Sequence, residues 1–101
     1  MRLSVVIPAY NEERRISSTL KSIDEYLRRQ SYDYEILVVN DGSKDNTAGL
    51  VNELRSEIVG LRLIDNKENH GKGYVVRQGM LEAKGELRLF TDADNSTSID
   101  H

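Results

Sequence analysis

The chain has 101 residues, 38% of them apolar and 31% charged, which bounds it to one unit with enough apolar material for a core. Zero cysteines exclude a disulfide framework, a thiolate metal site and a thiol nucleophile, and suit a cytoplasmic setting. A net charge of −3 with scattered basic residues gives no nucleic-acid footprint.

Leu3–Ser4–Val5–Val6–Ile7 reads as a buried strand, ended by Pro8. Its apolar run is far short of the ~20 residues a membrane span needs, and nothing around it reads as a signal peptide. Ile16, Leu20, Ile23 and Leu27 carry the 3.6-residue spacing of an amphipathic helix. Tyr34 to Val39 reads as a second strand closed by Asn40–Asp41–Gly42–Ser43, and Asp45 or Asn46 caps a helix whose apolar face is Val51, Leu54 and Ile58. Leu61 to Ile64 is a third strand. A third helix follows Asn69–His70–Gly71–Lys72–Gly73 and carries Val75, Val76, Met80 and Leu81. Leu87 to Phe90 is a fourth strand, which delivers Thr91–Asp92–Ala93–Asp94 to its end. Ser98–Ile99–Asp100–His101 reads as the start of a further helix, so the sequence is expected to be a fragment, a half-domain whose open sheet edge would let copies associate.

This alternation predicts an α/β fold, a three-layer α/β/α arrangement around a mainly parallel sheet. Ligands of such sheets sit beyond the carboxyl ends of the strands, where the polar and glycine-rich loops of this chain should cluster. Asp92 and Asp94, one residue apart at a strand end, can turn toward one point and share a hard divalent cation, Mg²⁺ or Mn²⁺; two acids in a solvated turn is the plain alternative. Asp41 can accept from the imino N–H of a base, or cap a turn through backbone N–H groups. Tyr10 offers a face for a base or sugar and Glu12 an acceptor for ribose; equally, Asn11 can cap the first helix with Glu12 and Glu13 in its first turn. Lys72, between two glycines at a helix start, can face an anion or stand exposed. A Walker loop is excluded by Asn66 and Gly73, and a dinucleotide fingerprint by Val76.

Val6–Ile7–Pro8–Ala9–Tyr10–Asn11–Glu12–Glu13, Val38–Val39–Asn40–Asp41–Gly42–Ser43–Lys44–Asp45–Asn46–Thr47 and Asp92–Ala93–Asp94 together resemble, in order and spacing, the signatures of the inverting glycosyltransferases of family 2, which have the GT-A nucleotide-diphospho-sugar fold. The resemblance runs from Arg2 to about Asp100. Within the family, Asn69 to Met80 is similar to the matching segment of dolichyl-phosphate glucosyl- and mannosyltransferases, and Phe90–Thr91–Asp92–Ala93–Asp94 leans toward the glucosyl type. The resemblance implies transfer of a hexose from a UDP- or GDP-sugar to a polyprenyl phosphate or a glycan, at the cytoplasmic face of a membrane reached through parts of the protein outside this chain. It implies that Pro8, Tyr10, Glu12, Val39 and Asp41 line the nucleoside pocket. Asp92 and Ala93 would contact ribose or diphosphate, Asp94 would bind the metal with Asp92, and Lys72 would contribute to donor binding. The catalytic base is expected beyond the end of the chain, so these residues alone are expected to bind nucleotide weakly and not to turn over. The competing readings are a sugar-1-phosphate nucleotidyltransferase, whose glycine-rich run after the first strand is absent here, and a non-catalytic nucleotide-binding module.

Overall fold

The computed structural model describes residues 1–92. Four strands, β1 (Leu3–Ala9), β2 (Tyr34–Asp41), β3 (Leu61–Asn66) and β4 (Leu87–Phe90), alternate with α1 (Ile16–Arg28), α2 (Thr47–Leu54) and α3 (Lys72–Glu82). The sheet is parallel throughout, in the order β3-β2-β1-β4. The chain therefore builds outward from β1 to β3 and then crosses back to place β4 on the other side of β1. Helices α1 and α2 cover one face, where Val5, Ile7, Ile16, Leu20, Ile36, Val38 and Val51 form the larger apolar cluster. Helix α3 covers the other, over Val6, Leu37 and Val39. Each strand splits its side chains between the two layers by its two-residue period. No helix among the described residues is long and apolar enough to cross a membrane.

Three local expectations change. Pro8 lies inside β1 rather than ending it, in register with Val39 of β2. Its missing N–H is harmless for a geometric reason. Even-numbered residues of β1 turn their backbone polar groups toward β4, as Thr91 N–H on Val6 O shows, and β4 pairing stops at Phe90 opposite Val6. Leu81, expected on the apolar face of α3, is 76% exposed. The stripe that α3 buries is Val75, Gly79 and Ala83, at helical spacing. It consists of small residues because the helix lies close to the sheet: a Cβ on Gly79 would stand 2.4 Å from Val6 Cγ1 and 3.0 Å from Val39 Cγ2. Ile58, expected on the α2 face, lies past the helix end in the following turn yet is buried in the same core.

At the amino ends of the strands, Glu35 is 1% exposed and fully partnered. Ser4 Oγ donates to its Oε2 at 2.6 Å, the Lys84 N–H to the same oxygen at 2.7 Å, and Arg62 Nη1 to Oε1 at 2.7 Å. Ser4 Oγ in turn accepts the Gly85 N–H at 2.8 Å. One carboxylate thus ties β1, β2, β3 and the α3–β4 turn together, which fixes where β4 begins. Burial pushes the Glu35 carboxyl up, but the Lys84 N–H, the Ser4 hydroxyl and the Arg62 guanidinium outweigh it and hold it below the ordinary value of 4.5.

Glu35→Gln should destabilise the fold by about 3 kcal/mol near neutral pH, because a buried ion pair loses one partner. A group with a depressed folded pKa stabilises above its unfolded pKa and loses that contribution as pH falls through the folded value. The gap between wild type and Glu35→Gln in urea unfolding should therefore close below pH 4.5. Gly79→Ala should cost about 1–3 kcal/mol by overpacking, although alanine is the better helix former. Gly73→Ala, where a Cβ meets nothing within 4 Å, should be neutral or stabilising in the same measurement.

Candidate functional site

The strand order reverses around β1, and beyond the carboxyl ends of β1 and β4 lies a cleft of about 260 Å³ lined by Pro8, Ala9, Tyr10, Glu12, Asp41, Lys72, Val75 and Asp92. That is where the topology of an open parallel sheet opens a crevice. Six residues singled out from the sequence meet here, brought by four separate stretches of chain at the carboxyl ends of the strands: Pro8, Tyr10, Glu12, Asp41, Lys72 and Asp92. Val39 does not line the cleft; its side chain is fully buried under α3, because its position in β2 turns it into the core. Ala93 and Asp94 lie outside the described residues. Ala9 and Val75 are additions, the first at the end of β1 and the second on the first turn of α3.

Asp41 is the anchor of the cleft's floor. It is 4% exposed, and its Oδ1 accepts the His70 N–H at 2.7 Å while Oδ2 accepts the Gly71 N–H at 3.0 Å and Asn69 Nδ2 at 3.2 Å. Gly71 is the residue that opens α3, at φ 96°, so Asp41 holds the start of that helix against the end of β2. The turn-capping role left open by the sequence is thus realised through a loop about 30 residues further along the chain. A carboxylate offers about four acceptor positions, so three donors leave room for one more. Gly42 is required beside it: φ is 71°, and a Cβ would lie 2.5 Å from the Glu68 carbonyl carbon.

The wall carrying Tyr10 and Glu12 is held by a reciprocal clamp between the β1–α1 and β2–α2 loops. The Asn11 N–H donates to Ser43 Oγ (2.9 Å), the Glu12 N–H to Thr47 Oγ1 (2.9 Å) and the Glu13 N–H to Asp45 Oδ2 (3.2 Å). In return the Lys44 N–H donates to Asn11 Oδ1 (2.8 Å) and the Asn46 N–H to Glu13 Oε1 (2.9 Å). Asn11, at φ 53°, takes the left-handed region that asparagine tolerates. It caps no helix; α1 begins at Ile16, after a turn that starts at Glu12. Asp45 accepts the Thr47 N–H at 3.0 Å just ahead of α2, whose N-cap position is Asn46, which makes no side-chain cap hydrogen bond. Burial raises the Asp45 carboxyl, but the Thr47 hydroxyl and N–H and the Glu13 N–H hold it below the usual range. Sequence reading missed this clamp, and the signal available was the density of short hydrogen-bonding side chains in both loops.

Lys72, the first residue of α3, reaches across the cleft. Its Nζ lies 2.6 Å from Asp92 Oδ1 and 5.3 Å from the centre of the Phe90 ring. Beside it the exposed rings of His70 and Tyr74 stack at 4.3 Å. Among the described residues no group of three His, Cys, Asp or Glu side chains could hold a metal ion unaided. A carboxylate on the cleft surface still matches the donor set of a hard divalent ion, which commonly takes one or two protein carboxylates and completes its shell with water and phosphate oxygens.

A family model described as glycosyl transferase family 2 matches residues 4–101. A dolichyl-phosphate beta-glucosyltransferase of Trichomonas vaginalis is 45% identical over 100 residues, covering 94% of this chain and 30% of that protein. The human dolichyl-phosphate beta-glucosyltransferase is 36% identical over 105 residues, covering 97% of this chain and 32% of that protein. The chain thus spans about a third of the length of the curated relatives it matches. Among solved structures, Staphylococcus aureus TarS in complex with UDP-GlcNAc superposes with a TM-score of 0.80 at 32% identity, over 93% of this chain and 27% of that one. The Pyrobaculum calidifontis mannosyltransferase PcManGT, in complex with GDP-Man and Mn²⁺, superposes with a TM-score of 0.80 at 31% identity, over 92% of this chain and 27% of that one. These matches, reaching from the first strand through the cleft, establish that the chain belongs to glycosyltransferase family 2.

Proposed function

We propose that the protein containing this chain transfers a hexose, with inversion, from a UDP- or GDP-sugar to a dolichyl or other polyprenyl phosphate, and that this chain supplies the donor half of the site. The observation that carries the reading is the meeting of Pro8, Tyr10, Glu12, Asp41, Lys72 and Asp92 in one cleft at the carboxyl ends of β1 and β4. The names of the relatives, dolichyl-phosphate beta-glucosyltransferases, support the acceptor, and structures of relatives with UDP-GlcNAc or with GDP-Man and Mn²⁺ support the donor class. A glycan acceptor is the second choice. A lipid-phosphate acceptor implies work at the cytoplasmic face of a membrane.

In this reading Tyr10 gives the base or ribose a face, and the remaining acceptor position of Asp41 receives a base N–H. The clamp holds Glu12 at the ribose side. In an inverting transfer an acceptor oxygen forms its bond to the anomeric carbon as the bond to the β-phosphate oxygen breaks, and the electron pair leaves with the nucleoside diphosphate. A Mg²⁺ or Mn²⁺ ion held by Asp92 and Asp94 would stabilise the charge that collects on that leaving group. A phosphate acceptor arrives already anionic, so less help from a general base is needed.

Titration of UDP, GDP, UDP-glucose and GDP-mannose into the full-length protein, with and without Mn²⁺, should show a metal-dependent gain in diphosphate binding. Asp94→Ala should abolish that gain and slow sugar transfer to a polyprenyl phosphate roughly a hundredfold or more, the size of several kcal/mol of charge stabilisation. Binding that is indifferent to Mn²⁺, or a gain that survives Asp94→Ala, overturns the reading. Association of the isolated 101-residue chain through the β4 edge, whose Leu87, Leu89 and Phe90 are all exposed, should appear as concentration-dependent solution scattering; a monomer at every concentration overturns it.

A further inference from the structure

We propose that Lys72 stands in for the divalent cation at Asp92, and that donor phosphate draws it away, so that nucleotide and metal load the cleft together. The inference rests on the reading of Asp92 as a metal ligand and adds to it an order of events. Glu12, Asp41 and Asp92 bring three carboxylates to the cleft lining, against the ammonium of Lys72. Asp41 already accepts from three donors and Glu12 has Arg15 at 3.8 Å. Asp92 is matched instead by Lys72, at 2.6 Å.

That pairing is built to be broken. Both side chains are part exposed, at 58% for Lys72 and 39% for Asp92, so water screens the attraction and its worth is small. The ammonium also stems from the first residue of α3, the end of a helix where positive charge is disfavoured. The Phe90 face steadies it from the side. A divalent ion held by Asp92 would have to share that carboxylate with the ammonium, so the two cations compete for it. A bound diphosphate changes the balance by offering the lysine a second anion within the sweep of its four-carbon stem. Leaving Asp92 then frees the carboxylate for the metal. The coupling is reciprocal, so bound metal must tighten nucleotide by the same factor.

The test is Mn²⁺ binding to the full-length protein, read from the free-ion electron paramagnetic resonance signal, without nucleotide and with saturating UDP or GDP. Lys72→Met should raise the nucleotide-free Mn²⁺ affinity about fivefold, the upper range for a screened ion pair, and shrink the nucleotide-induced gain by a similar factor. Lys72→Arg keeps the charge and should behave as wild type in both states. An unchanged or weakened nucleotide-free affinity in Lys72→Met overturns the exchange. Asp92→Asn separates the layers: weakened Mn²⁺ binding in both states supports Asp92 as ligand whatever Lys72 does, and unaltered binding overturns the metal reading and the exchange with it.

Discussion

The pairing of β4 with β1 is the contact on which the cleft depends, and it is controlled from both ends. At the amino end, Glu35 and Ser4 take the backbone N–H groups of Lys84 and Gly85, so the chain entering β4 starts at a fixed height beside β1. At the carboxyl end, Pro8 has no N–H to offer on the side facing β4, and the pairing stops two residues earlier, at Val6 opposite Phe90. Released there, the chain leaves the sheet and Asp92 lines the cleft. A one-residue slip of β4 would send the alternating side chains to the opposite faces and disconnect the acid from Lys72.

Polar satisfaction in this fold is arranged over long sequence distances. Every buried side-chain nitrogen and oxygen among the described residues has a hydrogen-bond partner. The Asp41 carboxylate serves the loop before α3, Glu35 serves the turn after it, and both ends of that helix are thereby set by acids of one strand, β2. With Gly79 allowing α3 to lie close over Val6 and Val39, the helix has little freedom to shift along the sheet. The placement of Lys72 at its first turn is a consequence of that packing.

The clamp between the loops after β1 and β2 gives the motif residues a second purpose. Asn11, Glu13, Ser43, Asp45 and Thr47 spend their side chains accepting backbone N–H groups within these two loops. The residues between and beside them, Tyr10 and Glu12, are left to face the cleft on a wall braced by those hydrogen bonds. The same stretch of sequence thus carries both the contacts and the scaffold, which is why neither loop could be divided into binding and structural residues by pattern alone.

The sequence by itself determined the seven alternating elements, the parallel α/β class and the set of rim loops, because burial periodicity and turn residues are properties of one segment at a time. It also placed Tyr10, Glu12, Asp41, Lys72 and Asp92 at or just past strand ends, and a parallel sheet sends all such ends to one side. Tertiary structure decided the rest: the order β3-β2-β1-β4, the close seat of α3 that leaves Leu81 in water, the burial of Val39 in the core and of Glu35 among its donors, and the pairing of Lys72 with Asp92. The side-chain partners of Glu35 and Lys72 lie 20 to 49 residues away in the chain. Local spacing reports which face of an element is apolar, but not which distant group will meet it.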